Sequence, residues 1–544
     1  MFISIFFLLS LLLVNPFHGH LTSAFPLTSS GEVSIASSNN VTYNISDVGK
    51  AQDKPKRVAI IGAGASGTAA AFFLKRAARV VEKRLGLNEG SRLGEIVVYD
   101  KEGYVGGRST TVYPHSDPRY RPQELGASIF VGANLNMLKS ASYFNLTLIN
   151  PDSGEAGIGI WDGSQFLFTS DSSSWVTSAK ALWRYGALSP TRTQTAITEL
   201  VNRFLKLYDP VFLSQRGSVD SVESFAESVG LGNEYTTITG ENWAKNVVKV
   251  GTKWLGEVWE GSTRVNYATD MHDIHALGAG VSMATGGASA IDGGNWRIFE
   301  AMLDDSKATV RLGTEVSDIV PTKSNGVQQF VVKSNKTEFN HDEPFDAVFF
   351  AAPWHSSPIS KDIQKQFRKS IPKQEYVRLH VTYFTTTRTH PVPSFFGLKE
   401  NAYIPNTIIT SSITSRQGST PPPKFQSITW HGEVLPGSGE YAVKIFSLTR
   451  LSDRFVKSVI GEDPSWLLRK EWDSYPKLTP ISSYAPVEPI KGLHYLASQE
   501  AWVSTMETQT VSGREAVARA VNDWWGLGLG ECEDGDSWDW TCPS

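Results

Sequence analysis

A glycine pattern near residue 60 limits what this chain can fold into more than any other feature of its sequence. Residues 58–61 are apolar, Gly62, Gly64 and Gly67 follow in the pattern G-x-G-x-x-G, and an alanine-rich run continues to Leu74. That order predicts a strand, a tight turn and a helix, the first unit of a dinucleotide-binding fold. The N–H groups and the dipole of the helix N-terminus then favour a bound phosphate.

Each glycine has its own expected task in this unit. Gly62 permits the turn, Gly64 lets the backbone approach a pyrophosphate, and Gly67 lets the helix pack closely on the strand. We predict the strand over 57–61 and the helix over 66–78. The residues expected to contact a cofactor here are Gly62, Ala63, Gly64, Ala65, Ser66 and Gly67. Alone, the pattern also fits an ordinary glycine turn in an α/β protein.

An acidic residue ends the next predicted strand, over 95–99. Asp100, followed by Lys101, stands where a carboxylate would accept hydrogen bonds from ribose hydroxyls. The usual separation from the glycines is about 20 residues, and the partly charged stretch 79–94 accounts for the longer separation here. The alternative is that Asp100 is only a turn residue that ends the strand.

Two further glycines and an arginine follow this strand. Gly106 and Gly107 permit close backbone approach, and the guanidinium of Arg108 can neutralise pyrophosphate charge with parallel hydrogen bonds. Nicotinamide-binding domains do not carry this pattern at that place. The combined motifs therefore predict FAD as the cofactor.

Length and composition set wider limits. At 544 residues the chain is long enough for two or three domains, and its formal charge of −4 gives no electrostatic basis for binding nucleic acid. The two cysteines, Cys532 and Cys542, cannot form a structural zinc site, and no metal-binding spacing occurs, so we expect no metal. Their proximity predicts one small disulfide loop in an oxidising compartment.

The N-terminus predicts entry into the secretory pathway. Residues 2–14 are apolar but too few to span a bilayer comfortably, and a small-residue site follows at 22–24, which favours a cleaved signal peptide over a membrane anchor. N-x-S/T sequons agree with that route and predict glycosylation at Asn40, Asn44, Asn145 and Asn335. Secretion and delivery to a lysosome or vacuole remain equal alternatives.

Taken together, these motifs resemble the FAD-dependent amine oxidase superfamily, and further segments resemble the prenylcysteine oxidase family within it. Residues 124–129 (Glu-Leu-Gly-Ala-Ser-Ile) are similar to the superfamily segment that approaches the flavin, which implies contacts from Gly126, Ala127 and Ser128. Residues 264–267, 275–283 and 290–295 follow in the order of the family. The last of these ends in Asp292-Gly293-Gly294-Asn295, whose glycines precede a predicted helix.

The resemblance also implies roles for later residues. Val316 would contact the adenine through its backbone, and Glu507 would lie near the ribityl or pyrimidine, just before a final helix predicted over 513–525. His275 is a candidate general base for water addition, although a core or helix-capping histidine is the alternative. Aromatic residues are candidates for a substrate pocket or for plain core packing: Trp161, Phe166, Phe168, Trp175, Trp183, Trp254 and Trp259.

The predicted fold class is α/β, with a Rossmann-like FAD-binding domain and a discontinuous α+β substrate domain built on an antiparallel sheet. The predicted divisions are a signal peptide (1–24), a flexible glycosylated leader (25–54), FAD-binding segments (55–135, 285–353 and 485–526), substrate segments (136–284, helical, and 354–484, sheet) and a disulfide-bearing tail (527–544). Period-two patterning between 376 and 447 carries the sheet prediction.

For function, the resemblance implies an oxidoreductase that cleaves S-prenylcysteine to cysteine, a prenyl aldehyde and hydrogen peroxide. Its partners would be a prenylated cysteine and molecular oxygen, with peripheral membrane association possible. Two alternatives stay open: an amine oxidase of the same superfamily, and a secreted flavoprotein that binds isoprenoids without turnover.

Overall fold

The computed structural model describes residues 54–150, 157–170, 174–339, 343–359, 361–533 and 535–542. In chain order, the strands are β1 (Lys56–Ile61), β2 (Leu93–Tyr99), β3 (Thr111–Val112), β4 (Gln123–Glu124), β5 (Leu148–Ile149), β6 (Ile158–Trp161), β7 (Phe166–Thr169), β8 (Ala290–Ile291), β9 (Thr309–Arg311), β10 (Val316–Ser324), β11 (Val327–Ser334), β12 (Ala347–Phe350), β13 (Tyr376–Thr386), β14 (Thr407–Thr410), β15 (Ser427–Glu433), β16 (Tyr441–Ser447), β17 (Trp466–Pro476) and β18 (Leu493–Tyr495).

The α-helices are α1 (Ala65–Arg84), α2 (Leu135–Tyr143), α3 (Ser174–Tyr185), α4 (Leu188–Leu205), α5 (Pro210–Arg216), α6 (Val222–Ser228), α7 (Asn233–Thr236), α8 (Gly240–Asn242), α9 (Glu260–Tyr267), α10 (Ala276–Met283), α11 (Trp296–Ser306), α12 (Ile413–Arg416), α13 (Asp453–Ile460) and α14 (Met506–Trp525). Trp243–Val248 and Trp254–Trp259 are π-helical. Short 3-10 helices lie at Pro114–Ser116, Lys206–Tyr208, Thr337–Phe339, Trp354–Ser356, Ile363–Gln366, Pro393–Phe396 and Leu496–Ala501.

Five parallel strands, in the order β18-β12-β1-β2-β9, form the sheet that carries the glycine turn. Its strands are apolar on both faces because both faces are covered. Helices α1, α11 and α14 pack on one face, and the β10–β11 hairpin packs on the other. The strand predictions near 57–61 and 95–99 are confirmed, and α1 extends past the predicted end at 78 to Arg84.

The residues 311–320, whose sequence predicts one strand returning to the nucleotide-binding domain, belong to two strands with different partners. β9 joins the parallel sheet beside β2, whereas β10 forms an antiparallel hairpin with β11. Between them the backbone turns at Gly313, where φ is +59°, and Thr314 donates its N–H to the carbonyl of Asp100 at 2.7 Å. This turn places Val316 beside the end of β2.

A second sheet of seven strands runs in the order β17-β13-β16-β15-β14-β6-β7. Its neighbours are antiparallel except for the parallel pair β14–β6. The stretch 136–284, predicted to be mostly helical, also contributes β6 and β7, which complete this sheet. Their four-residue apolar runs are too short for periodicity to separate strand from helix.

A layer of helices, α3, α4 and α6 to α10, covers one face of the seven-stranded sheet, whereas Leu213 of α5 packs in the core of the nucleotide-binding unit. The core of the helical layer contains fully buried Trp254 and Trp259 together with Trp502 from the segment before α14. The substrate unit is therefore discontinuous, as the fold class predicts. None of the helices in the described ranges combines the length and apolarity needed to cross a bilayer.

The C-terminal tail belongs to the core of the nucleotide-binding unit. The predicted disulfide between Cys532 and Cys542 is confirmed, with Cα atoms 5.7 Å apart. Trp538 and Trp540 pack against Phe72 and Phe73 of α1. The tail thus covers the helix whose N-terminus follows the glycine turn.

Several predictions fall on residues that the structure does not describe. These are the signal peptide, nearly all of the leader, and the sequons at Asn40 and Asn44. Asn145 and Asn335 are described and exposed, so both remain accessible to modification.

Candidate active site

A cavity of about 1540 Å³ lies where the two sheets and the helical layer meet. Most of the predicted cofactor residues line it: Gly62, Gly64, Ala65, Ser66, Asp100, Lys101, Gly106, Gly107, Arg108, Gly126, Ala127, Ser128, Gly293, Gly294 and Val316. Ala63, Gly67 and Glu507 do not line the cavity. The sequence motifs therefore meet in one site although they lie up to 250 residues apart.

The glycine turn at the nucleotide end of the cavity requires its glycines sterically. Gly62 has a φ of +112°, and a Cβ on Gly67 would lie 1.9 Å from the carbonyl oxygen of Gly62. Gly67 thus lies beneath the turn and permits the packing of α1, as predicted. Among the described residues no side chain caps α1, and its first turn holds no acidic residue. Its N–H groups are therefore available to an anionic ligand.

Asp100 is joined directly to this turn. Its Oδ2 accepts the N–H of Ala63 at 2.7 Å, and its Oδ1 accepts the N–H of Glu102 at 2.8 Å. The N–H of Ala63 is therefore used by Asp100, and Ala63 itself does not line the cavity. Burial raises the pKa of Asp100, and the two backbone hydrogen bonds oppose that rise. Each carboxylate oxygen keeps a second lone pair for a ligand hydroxyl.

The second glycine pair packs onto the first. The N–H of Gly106 donates to the carbonyl of Ala63 at 2.9 Å, and a Cβ on Gly107 would lie 3.3 Å from the Cα of Gly64. The predicted role of Arg108 needs correction, because its guanidinium is paired with Glu500 and also donates to the carbonyl of Ser474. Arg108 lines the cavity, but a buried carboxylate already neutralises its charge.

The segments 124–128 and 292–295 form the wall at the middle of the cavity. Ala127 adopts a φ of +44°, which is uncommon for a residue with a side chain. Asn295 holds this segment, since its Nδ2 donates to the carbonyl of Ala127 and its N–H donates to Glu124 Oε1 at 2.7 Å. A Cβ on Gly126 would lie 2.9 Å from the ring of Trp472. The segments 124–128 and 292–295 therefore form one connected wall.

Lys444 is a buried cation in this wall. Its Nζ donates to the carbonyl of Glu124 at 2.7 Å and to Ser128 Oγ at 3.0 Å, and it lies over the rings of Tyr383 and Phe446. Burial lowers the pKa of Lys444 to about 8. Burial also raises the pKa of the Glu124 carboxyl to about 8. The two groups thus change charge close to neutral pH.

The far end of the cavity is apolar and belongs to the helical layer. Its wall there includes Leu200, Val201, Phe204, Leu231, Val265, Leu277 and Val281. The aromatic residues considered for this pocket are elsewhere. Trp161, Phe166, Phe168, Trp254 and Trp259 pack in hydrophobic cores, and Trp175 and Trp183 are exposed. Aliphatic side chains dominate the lining instead, and Phe204, Tyr267 and Trp502 are the aromatic residues of the helical-layer core beside them.

His275 is a helix cap and not a wall residue. Its Nδ1 accepts the N–H of Gly278 at 3.0 Å at the start of α10, and its Nε2 contacts the carbonyl of Ala501 at 3.3 Å. Burial lowers its pKa to about 4. Because both ring nitrogens face the backbone, the general-base role for His275 is wrong and the capping alternative is confirmed.

The prediction for Glu507 is also wrong. The final helix starts at Met506 and not at 513, because Thr505 and Thr508 form a capping box. Glu507 thus lies in the first turn with its carboxylate directed to α2, where it accepts the N–H groups of Asn136 and Met137. The residues of this turn that line the cavity are Thr505, Met506, Thr508 and Gln509.

Within the described ranges, Glu260, Asp270 and His272 bring possible metal-ligand atoms within 4.8 Å of one another. Guanidinium groups compensate both carboxylates, since Arg416 pairs with Glu260 and Arg264 pairs with Asp270. This arrangement is typical of a buried ion-pair network. It gives no support for a metal.

Sequence reasoning missed Lys444, Glu500 and the partner role of Glu124. A signal for Lys444 exists, because it is the one charged residue in the buried strand Tyr441–Ser447, in phase with Ala442 and Phe446. Glu500 carries no comparable signal. Its partner Arg108 is 392 residues away, and only folding brings the two together.

The observed wall fits FAD. Gly62, Gly106 and Gly126 line the cavity where the chain packs so closely on itself that a Cβ would meet other protein atoms, so glycine backbone forms the wall there. The uncapped start of α1 suits the pyrophosphate, and Asp100 suits the ribose. The start of α14 and the segment 126–128 border the middle of the cavity, where the flavin ring would lie. FAD is therefore the cofactor of this cavity.

Solved structures with a similar fold include several of putrescine oxidase. A putrescine oxidase bound to putrescine has a TM-score of 0.52 at 14% identity, covering 86% of this chain and 99% of that one. A CLA-producing fatty acid isomerase from P. acnes has a TM-score of 0.55 at 12% identity, covering 87% of this chain and 99% of that one. At these identities the similarity concerns the fold alone.

Sequence comparisons identify the family as well as the fold. A model of the NAD(P)-binding Rossmann-like domain matches residues 60–144, and the prenylcysteine lyase model matches residues 168–528. Farnesylcysteine lyase of Arabidopsis thaliana is 28% identical, covering 87% of this chain and 89% of that protein. Prenylcysteine oxidase 1 of Mus musculus is 26% identical, covering 86% and 90%. With the site and these matches together, the chain belongs to the prenylcysteine lyase family.

Proposed function

We propose that this protein is a FAD-dependent oxidase that cleaves the thioether of an S-prenylcysteine. The observation that carries the proposal is the continuity of one cavity, which joins a dinucleotide-binding end to an aliphatic end in a chain of this family. The net reaction converts S-prenylcysteine, water and oxygen to cysteine, a prenyl aldehyde and hydrogen peroxide. Oxygen as the electron acceptor is part of the proposal.

The aliphatic end suits an isoprenoid chain. Leu200, Val201 and Phe204 of α4 line this part of the cavity together with Leu277 and Val281 of α10, a helix that packs against α4. Such walls gain free energy by removing apolar surface from water, at roughly 25 cal/mol per Å². A polyamine would instead need carboxylates along its length, and the named wall residues carry none.

The polar middle of the cavity suits the reacting sulfur and carbon. When bound, FAD supplies the acceptor for a hydride from the allylic carbon that is bonded to sulfur. Lys444, held by Glu124 and Ser128, can orient the water that adds to this carbon by donating its third N–H. Collapse of the resulting hemithioacetal then returns a proton to sulfur and releases cysteine.

Anaerobic mixing of the yellow holoenzyme with S-farnesylcysteine tests this function. We expect the visible flavin absorbance to bleach in a single turnover, and farnesal to form. S-Decylcysteine is the matched control, because it keeps the thioether but lacks the allylic double bond that stabilises the developing cation. Bleaching by putrescine or spermidine, and not by farnesylcysteine, would establish an amine oxidase. Farnesylcysteine binding without any spectral change would establish a non-catalytic isoprenoid carrier.

The cellular setting is part of the proposal. The apolar N-terminus, the sequons and the Cys532–Cys542 disulfide support a place in the secretory pathway, outside the cell or in a lysosome or vacuole. A substrate with an isoprenoid tail partitions into bilayers, which supports peripheral association with a membrane. Peptide mapping of the mature N-terminus and of glycans at Asn145 and Asn335 tests the route.

A further inference from the structure

Helix α3 carries an apolar stripe that faces solvent. Its opposite side, formed by Thr177, Ala181 and Tyr185 at four-residue spacing, is buried against the helical layer. On the outer side Trp175 is 74% exposed and Trp183 is 88% exposed. Two tryptophans so exposed on one short helix are unusual for a surface that contacts only water.

Neighbouring residues extend this stripe into a surface. Leu182 on α3, Leu188 at the start of α4 and Val247 are also exposed apolar residues. Contacts hold these elements side by side: Arg192 donates to the carbonyl of Lys249 at 2.6 Å, and Ser189 Oγ accepts the N–H of Gly251 at 2.9 Å. We call the surface formed by 175–192 and 245–253 the tryptophan face.

Its charges all have one sign. The exposed ionisable residues on these two segments are Lys180, Arg192, Lys245, Lys249 and Lys253. No aspartate or glutamate occurs in the sequence over 174–198 or 242–256. The carboxylates that follow the two segments in the chain are paired: Glu199 with Arg203, and the buried Glu257 with Arg184. The face thus combines exposed tryptophan with exposed basic residues, and neither segment contributes a carboxylate.

We infer that the tryptophan face binds the surface of an anionic phospholipid bilayer. Tryptophan prefers the interface between headgroups and acyl chains, and basic side chains are attracted to acidic headgroups. Helix α3 would lie in the plane of the membrane, with Trp175 and Trp183 inserted and the lysines around them. The charge pattern distinguishes this partner from a second copy of the chain, which carries net negative charge but offers no complementary acidic patch within this face.

Helix α4 connects the tryptophan face with the cavity. Helix α4 begins on the tryptophan face at Leu188 and carries Leu200, Val201 and Phe204 at the aliphatic end of the cavity. In an enzyme bound there, α4 would lead from the membrane surface to the substrate end of the cavity. This role of α4 rests on the proposed function, whereas bilayer binding itself does not depend on turnover.

Vesicle flotation of the purified holoprotein tests the inference. We expect it to float with vesicles of phosphatidylcholine and phosphatidylserine, and much less with phosphatidylcholine alone. Trp175→Ala/Trp183→Ala is expected to weaken partitioning at least about tenfold, because interfacial tryptophans are lost. Lys249→Glu/Lys253→Glu should weaken it by a similar factor and reduce its dependence on salt.

Matched controls come from the β10–β11 hairpin on the nucleotide-binding unit. Val327→Ala removes an exposed apolar side chain, Lys323→Glu/Lys333→Glu reverses two exposed lysines, and both should leave partitioning unchanged. Equal flotation of the tryptophan variant and the original protein would overturn the inference, as would no flotation of the original protein. A dimer that the tryptophan variant abolishes, without vesicle binding, would assign the face to a second copy. Flotation without bleaching by farnesylcysteine would leave this inference intact while refuting the proposed function.

Discussion

The two ends of the cavity are built in opposite ways. At the nucleotide end, backbone groups of two glycine turns meet Asp100, and these residues lie within about 50 positions of one another. At the substrate end, side chains from α4, α10 and the seven-stranded sheet converge from positions between 200 and 446. One end depends on local steric demands, and the other depends on how distant elements pack. Changes at the two ends should therefore have separable effects.

The largest effect is expected from Gly67→Ala. Its methyl group would collide with the carbonyl of Gly62, so α1 must move away from β1. We expect the free energy of unfolding to fall by about 3 kcal/mol or more and the protein to be purified without FAD. Gly103→Ala is the control, because its Cβ would meet no atom within 4 Å. Normal FAD content in Gly67→Ala would contradict the steric argument.

Lys444→Met tests the middle of the cavity. Loss of a group that orients water should lower kcat about 100-fold while FAD affinity stays unchanged. With a pKa of about 8, Lys444 loses its proton as pH rises through 8, so the rate of the original enzyme should fall above that pH. This step should be absent from the pH profile of the variant. A step that persists would belong to Glu124, and Glu124→Gln would then remove it.

The disulfide supports the nucleotide end from outside. Closing the loop between Cys532 and Cys542 restricts the unfolded chain, and the loop length corresponds to roughly 2.5 kcal/mol. Cys532→Ser/Cys542→Ser should therefore lower stability by about that amount in chemical denaturation. Because the tail packs on α1, FAD should also dissociate faster from the variant. An unchanged KM for the substrate would show that loss of the disulfide affects the nucleotide end of the cavity and not the substrate end.

Asp100→Asn separates cofactor binding from substrate binding. The amide cannot accept as strongly from the N–H groups of Ala63 and Glu102, nor from the ribose. We expect FAD to bind about 30-fold more weakly, equivalent to about 2 kcal/mol. Fluorescence titration of the apoprotein measures this affinity. With FAD in excess, the KM for S-farnesylcysteine should not change, and a large change would show that the two ends are coupled.

Phe204→Ala is the corresponding change at the substrate end. Removing this ring from the aliphatic wall should raise the KM for S-farnesylcysteine about tenfold through lost apolar contact. FAD affinity should remain that of the original protein. Phe395→Ala is the control, since Phe395 packs in the core on the other side of the seven-stranded sheet. Weaker FAD binding in Phe204→Ala would refute the separation of the two ends.

Prediction from sequence worked where a residue type has a steric or electrostatic reason to occupy its position. Gly62 and Gly67 cannot carry a side chain, and Asp100 accepts the N–H of Ala63. It did not work where a partner had to be known. Arg108 is neutralised by Glu500 and Glu507 turns to Asn136, and neither partner is near in sequence. Trp175 and Trp183 were considered for a pocket, because aromatic character alone does not tell surface from core.

The sequence by itself determined the α/β class, the FAD-binding turn and the disulfide, because short-range geometry dictates each of them. Only the tertiary structure decided which residues face the substrate. Leu200, Phe204 and Lys444 line one cavity because folding brings helix α4 and strand β16 together, although the two elements lie far apart in the chain. The same packing turned His275 into a helix cap and left Trp175 and Trp183 at the surface. Side-chain direction depends on long-range contacts, which no local pattern encodes.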